Sequence, residues 1–178
     1  MNVFIAGPRA VSLLNKHVKE RLKNIIFNNF TILVGDANGV DKAIQKFCYE
    51  LNYNRIKVYA TKGNARNNIG KWEVIKVEVS SDKKGFDYYA AKDLEMAKSA
   101  DYGFMIWNGK SKGTFNNIIN LAMLNKNILV YFIPEKTFYT IKSINDIGEL
   151  ICKCDISIKQ IFNEFINSSS QLSMDIKL

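Results

Sequence analysis

The chain has 178 residues, 47% of them hydrophobic and 24% charged, the profile of one globular domain able to bury a core of its own. Its apolar runs are only a few residues long, so no membrane partner is expected. Lys and Arg outnumber Asp and Glu by 25 to 17, a net charge of +8 that favours anionic partners.

Residues 2–6 form a short apolar run with Gly7 and Pro8 behind it, which predicts a buried strand ending in a tight turn. With no basic stretch or cleavage-like segment ahead of that run, a secretory signal is not expected. From Val11 to Phe27, Leu14, Val18, Leu22, Ile25 and Ile26 recur at helical spacing. Thr31 to Val34 reads as a second strand, and Val40, Ile44, Phe47, Cys48 and Leu51 mark a second helix. A third strand is expected at 56–60, an exposed Asn-, Gly- and Lys-rich loop at 61–71, and an extended segment at Trp72 to Val79, either edge or core. A polar turn over Ser81 to Gly85 leads to a helix at 86–99 carrying Tyr89, Met96 and Ala97. Then come a strand at Tyr102 to Trp107, a basic loop, a helix at 114–125 and a strand from Asn127 to Ile133 stopped by Pro134. Short apolar strands alternating with helices predict a mainly parallel sheet of about five strands with helices on both faces.

The organisation expected is a nucleotide-binding domain over 1–134, a C-terminal extension over 135–167 packed on it, and a flexible tail over 168–178. The extension holds a short strand at Phe138 to Lys142, a short helix at Ile144 to Ile151 and a terminal helix around Ile158, Ile161, Phe162 and Ile166. The positive charge is concentrated in the main body: residues 1–134 carry 20 basic and 11 acidic groups, and 135–178 carry 5 and 6. Cys48, Cys152 and Cys154 make no disulfide framework, and a reducing, cytoplasmic setting is expected. With His17 as the single histidine, neither a metal site nor a histidine-assisted hydrolase is expected. Only 4 of the basic residues are Arg, so the planar forks favoured by nucleic-acid readers are scarce. Nucleic acid is disfavoured as a partner without being excluded.

Ligands of open parallel sheets collect beyond the carboxyl ends of the strands. Three loops at such ends are unusual. In Gly7-Pro8-Arg9, Gly7 allows a close backbone approach and Arg9 can reach an anion. In Gly35-Asp36-Ala37-Asn38-Gly39-Val40-Asp41, two glycines leave a strand and open a helix, with Asn38 as the expected cap. Asp36 or Asp41 could accept hydrogen bonds from ribose, or merely close a turn and favour the helix start. In Trp107-Asn108-Gly109-Lys110-Ser111-Lys112-Gly113-Thr114, backbone amides, hydroxyls and two lysines make a phosphate cradle. It is not a Walker loop, because Phe104 stands where that motif needs glycine. Trp107 could stack on a base or lie in the core. Lys92, Asp93 and Met96 share a helix face and could wall the pocket, with Met96 also suited to core packing.

These loops, with Lys92-Asp93-Leu94-Glu95-Met96 and Ala100-Asp101, span residues 3–130 and together resemble the SLOG superfamily. That group has a Rossmann-like three-layer α-β-α sandwich fold and includes Smf/DprA proteins and Lonely-guy enzymes. The likeness is strongest to its small bacterial and phage branch of nucleotide-binding proteins. The resemblance implies a nucleotide or nucleotide-derived ligand across the sheet ends. Gly7 and Arg9 match the first loop of the family, Gly35, Gly39 and Asp41 the second, and Gly113-Thr114 the Gly-Thr pair that receives phosphate. Lys92 stands where many members have Arg. Asn117 occupies the position of the catalytic Glu of Lonely-guy enzymes, and an amide is neither a base nor a nucleophile toward a sugar carbon.

The first functional reading is therefore binding of a phosphate and ribose, as a sensor or effector. It needs no cofactor and leaves the nucleotide's identity open. An N-glycosidic hydrolase or nucleoside deoxyribosyltransferase-like enzyme, with Asp41, Asp93 or Glu95 as the catalytic carboxylate, is the alternative. Binding of single-stranded nucleic acid ranks third. A homo-oligomer, formed through Tyr88, Tyr89 or the terminal helix, is compatible with the fold.

Overall fold

The computed structural model describes the backbone of residues 1–79 and 85–175. Seven strands form one sheet: β1 (Asn2–Ala6), β2 (Thr31–Gly35), β3 (Ile56–Thr61), β4 (Glu73–Val77), β5 (Tyr102–Trp107), β6 (Asn127–Phe132) and β7 (Thr137–Ile141). The spatial order is β4-β3-β2-β1-β5-β6-β7. All neighbours are parallel except β6 and β7, which pair antiparallel. The sheet has two strands more than the five expected. The segment at 72–79 becomes a parallel strand beyond β3, and a turn holding Pro134, with Lys136 left-handed at φ 53°, folds β7 back on β6.

Period-two alternation along the strands builds the two faces. Val3, Ile5, Ile32, Val34, Phe104 and Ile106 point to one side, where α1 (Lys16–Phe27) and α2 (Val40–Glu50) cover them with Leu22, Ile44 and Cys48. Phe4, Ala6, Leu33, Met105 and Trp107 point to the other. There they meet α3 (Gly85–Ser99), α4 (Lys112–Met123), α5 (Ile147–Cys152) and α6 (Ile156–Asp175). Each fully buried aliphatic or aromatic side chain contributes about 1.5–3 kcal/mol, so these two clusters hold the three layers together. The extension joins the second cluster through Ile147, Leu150 and Ile158.

Local chemistry sets the helix starts. α1 begins at Lys16, five residues later than the apolar periodicity suggests, because Asn15 Oδ1 accepts from Val18 N at 3.1 Å. The N–H of Val11 instead closes a turn on the Pro8 carbonyl at 3.2 Å. Asn38 does not cap α2: Gly39 is the cap residue and supplies no side chain, while Asn38 Oδ1 accepts from Asn67. The backbone of α6 remains helical to Asp175, past Ser168, where the tail was expected to begin. Most of the turn expected at Ser81 to Gly85, the side chain of Tyr89 and residues 176–178 lie outside the described set. No helix among the described residues is long and apolar enough to cross a membrane.

Candidate functional site

The strand order reverses between β1 and β5, and the connections leaving these two strands diverge at their carboxyl ends, opening a crevice. A cavity of about 540 Å³ lies there. Gly7 and Arg9 line it from the loop after β1, Ala37 and Asp41 from the loop after β2, and Lys92, Asp93 and Met96 from α3. Ser111, Lys112, Gly113, Thr114, Asn116 and Asn117 line it from the start of α4. All three loops singled out in the sequence thus converge on one space.

Glycine is required where the first two loops touch. A Cβ on Gly7 would lie 2.7 Å from Val40 Cγ2 and 2.8 Å from the Ile106 carbonyl. Gly39 has φ +80°, and a Cβ on it would collide with the backbone of Arg9. Pro8 is buried and does not face the cavity; its carbonyl accepts from Val40 N at 3.3 Å and so ties the loops together.

The start of α4 is also built locally. Asn108 Oδ1 accepts from the amides of Lys110 and Ser111 at 3.1 and 2.9 Å, closing the turn. Ser111 Oγ caps the helix through Thr114 N and accepts from Thr114 Oγ1 at 3.0 Å. The first amides of the helix point toward its N-terminal end without intrahelical partners. Trp107 takes no part as a stacking surface. It is fully buried, packed on Phe115 with ring centroids 5.5 Å apart, and its Nε1 donates to the Ser111 carbonyl at 3.0 Å. Gly109 faces Phe132 and Cys154, and Lys110 reaches outward to Asp155 at 3.5 Å, so neither lines the cavity.

A buried charge cluster backs the opposite wall. Lys92, 4% exposed, places Nζ 3.2 Å from Asp93 Oδ1 and 3.6 Å from Asp36 Oδ1. Burial alone would lower the Lys92 pKa; the carboxylates of Asp93, Asp41 and Asp36 outweigh it and raise the value. Asp36 does not line the cavity. It is gripped by Arg66, whose Nε and Nη2 donate to its two carboxylate oxygens at 2.9 and 2.7 Å. Desolvation pushes the Asp36 pKa up, but these bonds and the nearby Lys92 prevail and hold it below its usual value. Asp41 accepts from Ala37 N at 3.2 Å, and burial drives its pKa up to about 6 against the pull of Lys92. A Cβ on Gly35 would fall on Asp41 Oδ2 and Lys92 Nζ, which is why the end of β2 is bare there. Glu95 turns to Lys98 at 3.7 Å and is absent from the cavity wall.

The loop at 61–71, expected to be merely exposed, supplies part of this wall's support. Besides Arg66, Asn67 donates to the Asp36 carbonyl at 2.8 Å. Gln45, fully buried on α2, donates to the Gly35 and Asn67 carbonyls and accepts from Ile69 N. Nothing local in the sequence marks Arg66, which meets its partner across thirty positions. Among the described residues no group of His, Cys, Asp and Glu is arranged to hold a metal ion.

The sheet order and its crevice define a Rossmann-like α/β protein with a cavity at the point of strand reversal. No protein-family model matches the chain, and no curated protein matches it. Among solved structures, it is similar to DNA processing protein A of Helicobacter pylori, whose single-stranded DNA binding mode that structure describes. The two are 14% identical, with 94% of this chain and 81% of that one covered and a TM-score of 0.56. It is also similar to TM1055, a structural-genomics target, with 20% identity, 71% of each chain covered and a TM-score of 0.53. At these identities the likeness is one of fold, a Rossmann-like α/β sheet covered by helices on both faces.

Proposed function

We propose that the chain binds a nucleotide, or a molecule built on one, with its phosphate at the start of α4 and its sugar in the cavity beyond. The observation carrying this reading is the cavity itself. The amino end of a twelve-residue helix, Arg9 and Lys112 border one open cavity at the strand reversal. Helix amides and dipole favour an anion there. Asn117, 3% exposed, lines the same cavity, and its Oδ1 is buried without a hydrogen-bond partner. The volume suits one small molecule.

The experiment is calorimetric titration of the wild type and Gly113→Asp with AMP, GMP, CMP and UMP. Open space surrounds Gly113, and a carboxylate near a helix start favours the helix, so the variant folds with an equal or higher Tm. Its carboxylate competes for the phosphate position, and affinity for the nucleotide bound by the wild type falls at least tenfold. A wild type that binds none of the four, or a variant that binds as tightly, contradicts the reading.

Cleavage of an N-glycosidic bond is the second reading, and Asp41 favours it. A buried carboxyl with a pKa near 6 beside the cavity can hold or release a proton around neutrality. Release of free base from a nucleoside monophosphate, lost in Asp41→Asn, selects that reading.

A further inference from the structure

Resting on the binding reading above, we infer that the protein takes up a proton at Asp41 when its cavity takes an anion, so the anion is held more tightly as pH falls from 8 to 5. Three carboxylates, Asp36, Asp41 and Asp93, share two cations, Lys92 and Arg66, in and behind one wall of the cavity. Arg66 grips Asp36, and Lys92 Nζ lies 3.2 Å from Asp93 and 3.6 Å from Asp36. Asp41 forms no ion pair among the described residues. It is 6% exposed, and its hydrogen bond is the single one from the Ala37 amide at 3.2 Å. The surplus negative charge therefore sits on a buried group that lines the cavity together with Arg9 and Lys112. Such a charge opposes an arriving anion strongly, because little water screens the two.

The neighbours of Asp41 single it out as the group that takes the proton. Asp36, from the loop after β2, is held ionised by Arg66. Lys92, from α3, keeps its own proton under the pull of the three carboxylates. Asp93, beside it, accepts a hydrogen bond from Lys92. Arg9 and Lys112 face the cavity from the loop after β1 and the start of α4, and Lys42, next on α2, is exposed. Burial has already brought the Asp41 pKa to about 6, with Asp93 and Asp36 adding to the rise and Lys92 opposing it. A bound anion raises it further, so above pH 6 the complex holds more protons than the free protein. Affinity then grows as pH falls toward 6, about tenfold for each unit of that rise.

The test is calorimetric titration of the wild type and Asp41→Asn at pH 8 and pH 5 with whichever of AMP, GMP, CMP and UMP the wild type binds. The phosphate of each titrates near pH ~6 on its own, equally for both proteins, so their comparison isolates Asp41. From pH 8 to pH 5 the affinity of the wild type should shift toward tighter binding at least fivefold more than that of Asp41→Asn. At pH 7, titrations in two buffers of different ionisation enthalpy should show greater proton uptake by the wild type. If Asp41→Asn does not fold, the ¹³C carboxyl shift of Asp41 in the labelled wild type is followed against pH, and its midpoint should rise by half a unit or more when the nucleotide is present. The same pH dependence in both proteins, or a midpoint that the nucleotide leaves in place, overturns this inference while binding stands. Absence of binding by all four nucleotides removes the binding reading as well.

Discussion

Replacing Lys92 with Met lowers stability by about 3–5 kcal/mol at pH 8, the cost of leaving buried carboxylates without their cation. Lys92 is the group common to Asp36, Asp41 and Asp93. Asp36 keeps Arg66 in the variant, whereas Asp41 is left with the Ala37 amide at 3.2 Å. The loss depends on pH. Burial raises the Asp41 pKa from 3.8 to about 6, so in the native state it takes up its proton more readily than in the unfolded chain. Stability associated with Asp41 is therefore greatest below pH 3.8 and declines as pH rises through 6. Removing Lys92 lifts the Asp41 pKa further, so the variant is penalised less at pH 5 than at pH 8. Urea denaturation at both values checks this; an equal loss at the two would mean that Lys92 acts through packing alone.

Gly39→Ala should cost about 3 kcal/mol and abolish nucleotide binding together. A side chain at φ +80° and ψ −129° is strained by about 1–3 kcal/mol, and its methyl would meet the Arg9 backbone. Relief requires the loop after β1 to move away from the loop after β2, breaking the bond from Val40 N to the Pro8 carbonyl and displacing Arg9 from the cavity. Gly113→Ala is the contrasting substitution: nothing lies within 4 Å of its Cβ, so stability holds. Thermal unfolding and titration of both variants separate a required glycine from a tolerated one.

The three layers were readable because each strand and helix carries its own periodicity. Phe4 and Ile5 alternate across β1, and Val18, Leu22 and Ile25 share one face of α1. The convergence of the three loops was equally readable, since a parallel sheet places all its strand ends on one side. What sequence could not supply was direction and distance. Trp107 ends a strand as a stacking residue would, yet its position on β5 turns it into the α4 face beside Phe115. Glu95 is two residues beyond Asp93, and about 200° of helical turn carries it to another side of α3. Arg66 lies in a loop whose composition signals solvent, and only the folded chain sets it on Asp36. The cap of α2 fails for a related reason: Asn67, brought in by that same loop, takes the Asn38 side chain.

Backbone amide chemical shifts of ¹⁵N-labelled protein, followed as AMP is added, test the central claim most directly. The account predicts that the largest changes fall on Gly7, Lys112, Gly113 and Thr114, with smaller ones at Asp93 and Asn117. Changes confined to the opposite end of the sheet, around Met1, Arg21 and Phe30, would contradict it.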